Sequence, residues 1–384
     1  MSVNLFCSFS VVMVNATVTQ FERARACTDS LFDLVAAGGL YSRPIAERHP
    51  LIFYLGHLEA FDWNKICRWA LGVPAFHATF DRLFEAGIDP EPGTAVDGVG
   101  DWPRVEEIRE YGRRTRETID RVLADAPAEI IHMALEHRWM HYETLAYLLH
   151  ALPYEQKLRA PQAPVESGAA PVAEMMRVAA GSATMGQQRG VFGWDNEFDA
   201  HTVAVPGFGI GKYKVTNGDY LRFVEEGGAA SAFWTAKAGD WFYRGMFEAI
   251  PLPLNWPVYV THEQASAFAA WAGKRLPTEA EFHRAAYREP IPAAGFERWD
   301  PGPVADEQMV GNGWEWTSTV FHPFAGFEAS PAYPGYSRDF FDGKHYVLKG
   351  ASPRTADCFL RTSFRNWFRP NYPYVYSAFR LAED

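Results

Sequence analysis

Apolar residues recur at helical spacing through the first part of the chain and lose that period afterwards. Residues 17–37 and 104–124 set apolar positions three and four apart among charged ones, the pattern of a helix with one buried face. Residues 50–71 open with Pro50, suited to a first helical turn, and run through an apolar, aromatic series to Gly72. A fourth helix is expected over 128–151, stopping before Pro153. Four helices with connections of mixed length predict a bundle, whose interior is a common place for a metal site built from facing helices. Between 154 and 174 the composition turns to Pro, Ala, Gly and charged residues, the mark of an extended linker. Beyond it come short apolar runs, frequent Gly and Pro, and many Trp and Tyr, with helices expected near 216–226 and 262–273. That half reads as α+β with much irregular structure. The expected organisation is a helical unit over 1–153, a linker over 154–174 and an α+β unit over 175–384.

Composition supports two cores, since the chain has 384 residues, 48% of them hydrophobic and 15% aromatic. A formal net charge of −11 argues against a nucleic-acid or anionic-membrane partner. No apolar run approaches the roughly 18 residues that a membrane span needs. Residues 3–14 are apolar but carry no basic flank, so no secretory signal is expected. Cys7, Cys27, Cys67 and Cys358 are widely spaced and form no C-x-x-C, which suggests free thiols in a reducing cytoplasm.

The chemistry with the sharpest spacing is His137-Arg138-Trp139-Met140-His141-Tyr142-Glu143. Two imidazoles four residues apart on a helix share one face, one turn apart, where a single metal ion can be held. His57, on the second predicted helix, can meet the pair across the bundle. Three neutral nitrogen ligands leave positions open on an octahedral ion, as oxygen chemistry requires. The residues alone also admit a partly exposed helix face for the pair and a packed core histidine for His57.

In the second half Phe192-Gly193-Trp194-Asp195-Asn196-Glu197, Tyr213-Lys214-Val215-Thr216-Asn217, Arg275-Leu276-Pro277-Thr278-Glu279-Ala280-Glu281, Gly311-Asn312-Gly313-Trp314-Glu315-Trp316 and Ser377-Ala378-Phe379-Arg380 follow one another. In that order they resemble the formylglycine-generating-enzyme-like (sulfatase-modifying-factor) domain. The resemblance implies a C-type-lectin-like α+β fold in which much of the motif content is structural, with Trp314 and Trp316 packed in the core. The first half resembles the DinB-like four-helix bundle, where a distant His and an H-x-x-x-H pair bind metal. The two together resemble the ergothioneine-biosynthesis sulfoxide synthases and their selenium relative, selenoneine synthase. Those are mononuclear non-haem iron proteins that use O2 to join sulfur or selenium to C2 of the imidazole of hercynine, the trimethylammonium betaine of histidine.

The resemblance implies Fe(II) on His57, His137 and His141, with O2 as co-substrate. It also implies a tyrosine proton donor from the second domain, matched by Pro331-Ala332-Tyr333-Pro334-Gly335-Tyr336-Ser337, with Tyr333 the donor and Tyr336 its neighbour. A phenol of pKa ~10 is protonated at neutral pH and can donate. A quaternary ammonium is held largely by aromatic faces, for which Trp367 and Phe368 are candidates, while Asn371 offers an amide to the zwitterion. Core packing fits Trp367 and Phe368 equally. Met140 stands where many sulfoxide synthases have a Gln that contacts hercynine. Arg113 and Arg116 could grip a carboxylate of the second substrate, the alternative being a solvated helix face. The C-terminal Asp and Arg of γ-glutamylcysteine users are replaced by Phe368 and tyrosines, and the Phe53–Asp62 block most resembles selenoneine synthases. The expected reaction is therefore carbon–selenium bond formation from a selenosugar, with sulfoxide synthesis from cysteine or γ-glutamylcysteine as the alternative. A non-catalytic lectin-like module is a further reading. A formylglycine generator proper is disfavoured, because only Cys358 lies in the region where that chemistry needs a cysteine pair.

Overall fold

The computed structural model describes residues 3–85, 102–161, 163–287, 296–305 and 308–384, with side chains from residue 17 onward. Two compact units divide at Ala160 and Pro161.

The first unit contains α1 (Val3–Phe32), α2 (Leu51–Asp62), a short α3 (Ala78–Leu83), α4 (Val105–Val122) and α5 (Ala128–Ala151). In α4, Ile108, Tyr111, Thr115 and Ile119 are buried at spacings of three and four, and Glu106 and Glu107 complement the helix dipole in its first turn. The central helices lack such a polar face. Every residue of α2 except Leu55 is buried, and in α5 only Met140 and Glu143 are partly exposed between Met133 and His150. The helix expected over 50–71 changes winding at Trp63, where α2 passes into a π-helical stretch, Trp63–Ala70, that ends at Gly72 with φ 67°. The first helix ends earlier than expected. Leu34 and Val35 continue its apolar pattern but pair instead with the returning chain, through Leu158 N–H to the Leu34 carbonyl at 2.7 Å and a bridge between Val35 and Lys157.

The segment expected as linker is thus tied to the first unit through residue 158, and its later part is tied to the second. The Glu166 carbonyl accepts from Trp256 Nε1 at 2.7 Å, and Gly168 N–H donates to Asn255 at 3.1 Å.

The second unit carries β1 (Met175–Val178), β2 (Gly181–Met185), β3 (His201–Val205), β4 (Phe208–Gly211), α6 (Asn217–Glu225), β5 (Trp234–Lys237), β6 (Asp240–Arg244) and β7 (Ala249–Pro251). There follow α7 (His262–Trp271), α8 (Glu279–Ala286), β8 (Gly313–Val320), β9 (Tyr346–Ala351), β10 (Asn366–Phe368), β11 (Ser377–Ala378) and β12 (Ala382–Glu383). The strands form sheets ordered β1-β4-β12, β10-β9-β8-β11, β2-β3 and β5-β6-β7, antiparallel except where β11 runs parallel to β8. Phe208, Ile210, Phe282, Met309, Val310 and Phe324 lie at the heart of one buried cluster. The expected helices near 216–226 and 262–273 are α6 and α7, while α8 was not anticipated. Its start signal is nevertheless in the sequence: Thr278 caps the helix and Glu281 returns the bond, a reciprocal capping box.

Each of the five motif segments contributes a partner to a buried ion pair. Glu315 lies against Lys214 and against Arg380, the latter at 3.1 Å, which joins three of the segments at one carboxylate. Glu197 accepts from Arg361 at 2.5 Å, and Glu279 from Arg365 at 3.1 Å. Trp314 and Trp316 are core residues, 2% and 0% exposed. Cys27, Cys67 and Cys358 are free thiols, while the Cys7 side chain lies outside the described residues. Among the described residues no helix is long and apolar enough to cross a membrane.

Breaking one partner of a buried pair leaves the other charge uncompensated, which costs about 3–5 kcal/mol. Glu315→Gln is therefore expected to lower the unfolding free energy of the second unit by about that amount in a urea titration. A loss below about 1 kcal/mol, the level of an exposed pair, would show that Lys214 and Arg380 do not depend on Glu315.

Candidate metal centre

His57 comes from the middle of α2, and His137 and His141 come from successive turns of α5. The three side chains are buried together, with their ligand atoms all within 4.8 Å of one another. His141 Nε2 lies 3.2 Å from His57 Nε2 and 3.2 Å from His137 Nε2. The i, i+4 spacing on α5 thus puts both imidazoles on the face that α2 covers.

Two of the rings have identifiable support. His57 Nδ1–H donates to the Phe84 carbonyl at 2.7 Å, which leaves its Nε2 lone pair directed into the cluster. Gly56 permits that bond, because a Cβ there would fall 2.5 Å from the Phe84 ring. Phe53 stacks on His57 with centroids 4.9 Å apart, and Phe61 stacks on His137 at 3.4 Å and 8°. Burial holds His57 at about 4 against an ordinary 6.5, and it holds His137 and His141 well below the ordinary value. The rings are therefore neutral at neutral pH.

That combination fits a metal ion. Three neutral imidazole nitrogens gathered in a dry seam suit a cation when each ring turns its Nε2 lone pair inward, and burial opposes the imidazolium that would compete with it. Metal–nitrogen distances of about 2.1 Å with the nitrogens on one octahedral face place neighbouring nitrogens about 3 Å apart. The two 3.2 Å separations from His141 match, and the ligand atoms of all three rings lie within 4.8 Å of one another.

Just beside the triad sits a buried ion network that the sequence reading did not single out. Arg138, fully buried, donates to Asp62 at 2.7 Å and to Glu59 at 3.1 Å, and Arg116 reaches Glu59 at 2.7 Å. The signal was present: two acids in the otherwise apolar α2 require a buried base.

The remaining anticipated residues fall into separate places. Met140 is half-buried, and its carbonyl accepts from Thr144 at 3.1 Å. Arg113 is exposed and pairs along its own helix with Glu110 at 2.7 Å and Glu117 at 2.5 Å. Arg116 holds Asp29 at 2.7 Å besides Glu59. Both arginines border a cavity of about 470 Å³ between α1, α2 and α4, whose lining includes Leu55, Leu58 and Glu59 but none of the three histidines.

In the second unit Tyr333 is half-buried with its ring 5.6 Å from that of Tyr336, and Tyr336 stacks on Trp194 at 3.9 Å. Trp367 stacks on Phe321 at 4.3 Å and meets Tyr336 edge-on at 5.3 Å. Phe368 lies parallel to Tyr372 at 5.4 Å, and Tyr374 stands edge-on to Tyr372 at 5.1 Å. Successive strand residues point to opposite faces, so Trp367 and Phe368 belong to two different aromatic groups. Asn371 is exposed, in the turn that follows β10.

Residues 161–300 and 294–384 match the sulfatase-modifying factor enzyme 1-like domain. Over 91% of its length the chain is 28% identical to ergothioneine biosynthesis protein 1 of Schizosaccharomyces pombe, covering 54% of that protein. It is 32% identical to hercynine oxygenase of Mycolicibacterium thermoresistibile, across 70% of this chain and 72% of that one. With hercynine oxygenase of Mycobacterium tuberculosis it shares 34% identity across 50% of this chain and 56% of that one. The second unit is thus a sulfatase-modifying-factor domain behind a helical unit that carries three convergent histidines. The chain belongs to the ergothioneine-biosynthesis sulfoxide synthase family. It spans about half the length of the first of these relatives.

An imidazole whose folded pKa lies below its unfolded value lets the unfolded state take up the proton first, so stability falls with pH between the two values. The metal-free protein is therefore expected to lose stability as the pH drops from 6.5 to about 4, and to be insensitive to these rings above that window. Urea midpoints measured across the window check this. Equal midpoints halfway through it and at neutral pH would mean that the three rings are not held neutral by the fold.

Proposed function

We propose that this chain is an oxygen-dependent, mononuclear non-haem iron enzyme that joins the sulfur of a thiol donor, cysteine or γ-glutamylcysteine, to C2 of the hercynine imidazole. The observation that carries the reading is the convergence of three neutral imidazole Nε2 atoms in a chain whose relatives include proteins named hercynine oxygenase. When bound, Fe(II) supplies a redox-active Lewis acid with coordination positions open to O2 and to the chalcogen. His57, His137 and His141 would hold it, with the Phe84 carbonyl fixing the tautomer of His57 and Phe61 the plane of His137. The aromatic walls of Phe53 and Phe61 exclude water and keep the local dielectric low. A DinB-like bundle and a C-type-lectin-like second unit belong to the same reading, as does a reducing cytoplasm for the free thiols.

Tyr333 is assigned the proton donor on the resemblance, giving its Oη proton to oxygen as the oxygen is reduced. Tyr336, packed on Trp194, offers it a rigid neighbour. Trp367 or Phe368 supplies an aromatic face for the trimethylammonium group, one of them per pocket because they face opposite ways. Asn371 and Met140 stay proposed substrate neighbours. Arg113 and Arg116 are not assigned to substrate, because protein carboxylates already occupy both.

Sulfur rather than selenium is named because the relatives carry the names ergothioneine biosynthesis protein and hercynine oxygenase. The selenosugar expected from the sequence enters as the competing donor. Iron-loaded protein with hercynine and O2, offered γ-glutamylcysteine, cysteine, thiosugar and selenosugar in competition, is expected to give chiefly the sulfoxide of a cysteine-type donor by mass. A product made mainly from selenosugar would replace sulfur by selenium in the reading, and no O2-dependent product from any donor would remove the catalytic reading altogether.

Tyr333→Phe keeps the ring volume and removes the proton. Loss of such a donor lowers rate by about 10²–10⁴-fold. Turnover is expected to fall within that range, or the product to change, while hercynine affinity is retained; an unchanged rate and product distribution would return Tyr333 to a packing role.

A further inference from the structure

We propose that Arg138 is a positioning residue for the metal centre, its guanidinium setting the register of α2 against α5 and with it the separation of His57 from His137 and His141. The inference rests on the reading of those histidines as metal ligands.

Arg138 directly follows His137 and precedes His141 by three residues. Its partners on α2 are Leu58, Glu59 and Asp62, which follow His57 by one, two and five residues. Nη2 donates to Asp62 Oδ2 at 2.7 Å and to the Leu58 carbonyl at 3.2 Å. Nε donates to the same Asp62 oxygen at 3.2 Å, and Nη1 to Glu59 Oε1 at 3.1 Å and to Thr28 Oγ1 at 3.4 Å. One rigid fork thus grips two carboxylates and a main-chain carbonyl of the helix that carries the third ligand. At about 100° per residue, Leu58, Glu59 and Asp62 lie on a side of α2 different from that of His57. The guanidinium and the imidazoles therefore hold one helix pair at two places around its circumference.

The network extends further. Glu59 is held by Arg116 of α4 at 2.7 Å, and Arg116 holds Asp29 of α1 at 2.7 Å. All four long helices are linked through it. Apolar side chains of similar volume could fill this interior, and buried ion pairs often add little stability over such packing. What a planar fork adds is direction. A slide of α2 along α5 by even 1 Å stretches a 2.7 Å bond at the clamp and the 3.2 Å ligand spacing together.

Arg138→Lys keeps the charge and loses the fork. Should that protein fail to fold, Arg138→Met combined with Glu59→Gln and Asp62→Asn removes all three buried charges and carries the test instead. Full-length variants are compared with wild type by far-ultraviolet circular dichroism, by Co(II) affinity in competition with a chromophoric chelator, and by the visible ligand-field bands of bound Co(II), with His137→Ala alongside. Partners that orient metal ligands typically contribute 10- to 100-fold in affinity, so the folded variant is expected to bind Co(II) about 10- to 100-fold more weakly with shifted bands. A folded variant with wild-type Co(II) affinity and bands, differing only in its unfolding midpoint, would make Arg138 a purely structural residue. Loss of Co(II) in His137→Ala with no change in the Arg138 variant overturns the clamp alone. Wild-type Co(II) affinity in His137→Ala overturns the metal reading and the clamp with it.

Discussion

A charge taken out of water into a packed interior has to be met there by an opposite charge, and that requirement shapes both units. In the helical unit it acts where α2 meets α5. Burial alone pushes the Glu59 carboxyl up, yet Arg138 and Arg116 bring it to about 2, so it is ionised at neutral pH. In the second unit the same requirement acts on Glu315, Glu197 and Glu279, each buried against an arginine and Glu315 also against Lys214. The motif segments are separated in sequence because the charges they bring together come from different strands and loops. Their spacing reflects which acid meets which base more than it reflects chemistry on a substrate.

The histidine cluster is the exception that makes a site. Its three rings are as buried as the arginine beside them, but each brings a lone pair and no charge. The neighbouring acids, Glu59 and Asp62, are met by Arg138 and Arg116, and Arg116 also holds Asp29. A divalent ion held by neutral ligands beside acids that are already paired keeps much of its charge for anionic or oxygen ligands. The same ion among carboxylate ligands would lose much of that charge.

Much of this was legible in the sequence, and what was not has physical reasons. The bounds of α5 and the shared face of His137 and His141 follow from period alone, because α5 is continuous and its ends carry clear stop signals. His57 was expected to meet the pair across the bundle, with a packed core histidine as the alternative, and α2 does bring it to that face. The change of winding at Trp63 was not legible, because α2 is buried on nearly every side and the mixed polar and apolar stretch Trp63–Ala70 that follows it reads equally well as more α-helix. Trp367 and Phe368 looked like one aromatic wall, which they cannot be on a strand, and β10 is too short for its alternation to be read in advance. Arg113 and Arg116 carry the same i, i+3 spacing as a carboxylate clamp. The acids of Arg113 lie at i−3 and i+4 on its own helix and were legible, whereas those of Arg116 come from α1 and α2, where no local pattern reveals them.

The engagement of both arginines constrains how the proposed reaction would accommodate a charged donor. A γ-glutamylcysteine donor brings two carboxylates, and binding them in a partly dry site requires cations that the protein has not already neutralised. In α4 the two arginines best spaced for this are engaged, Arg113 along its own helix and Arg116 in the network that links the bundle. Drawing Arg116 towards a substrate would leave Asp29 without its guanidinium and weaken the hold on Glu59, and so disturb the helices that carry the histidines. A charged donor must therefore find its counter-charges outside this pair.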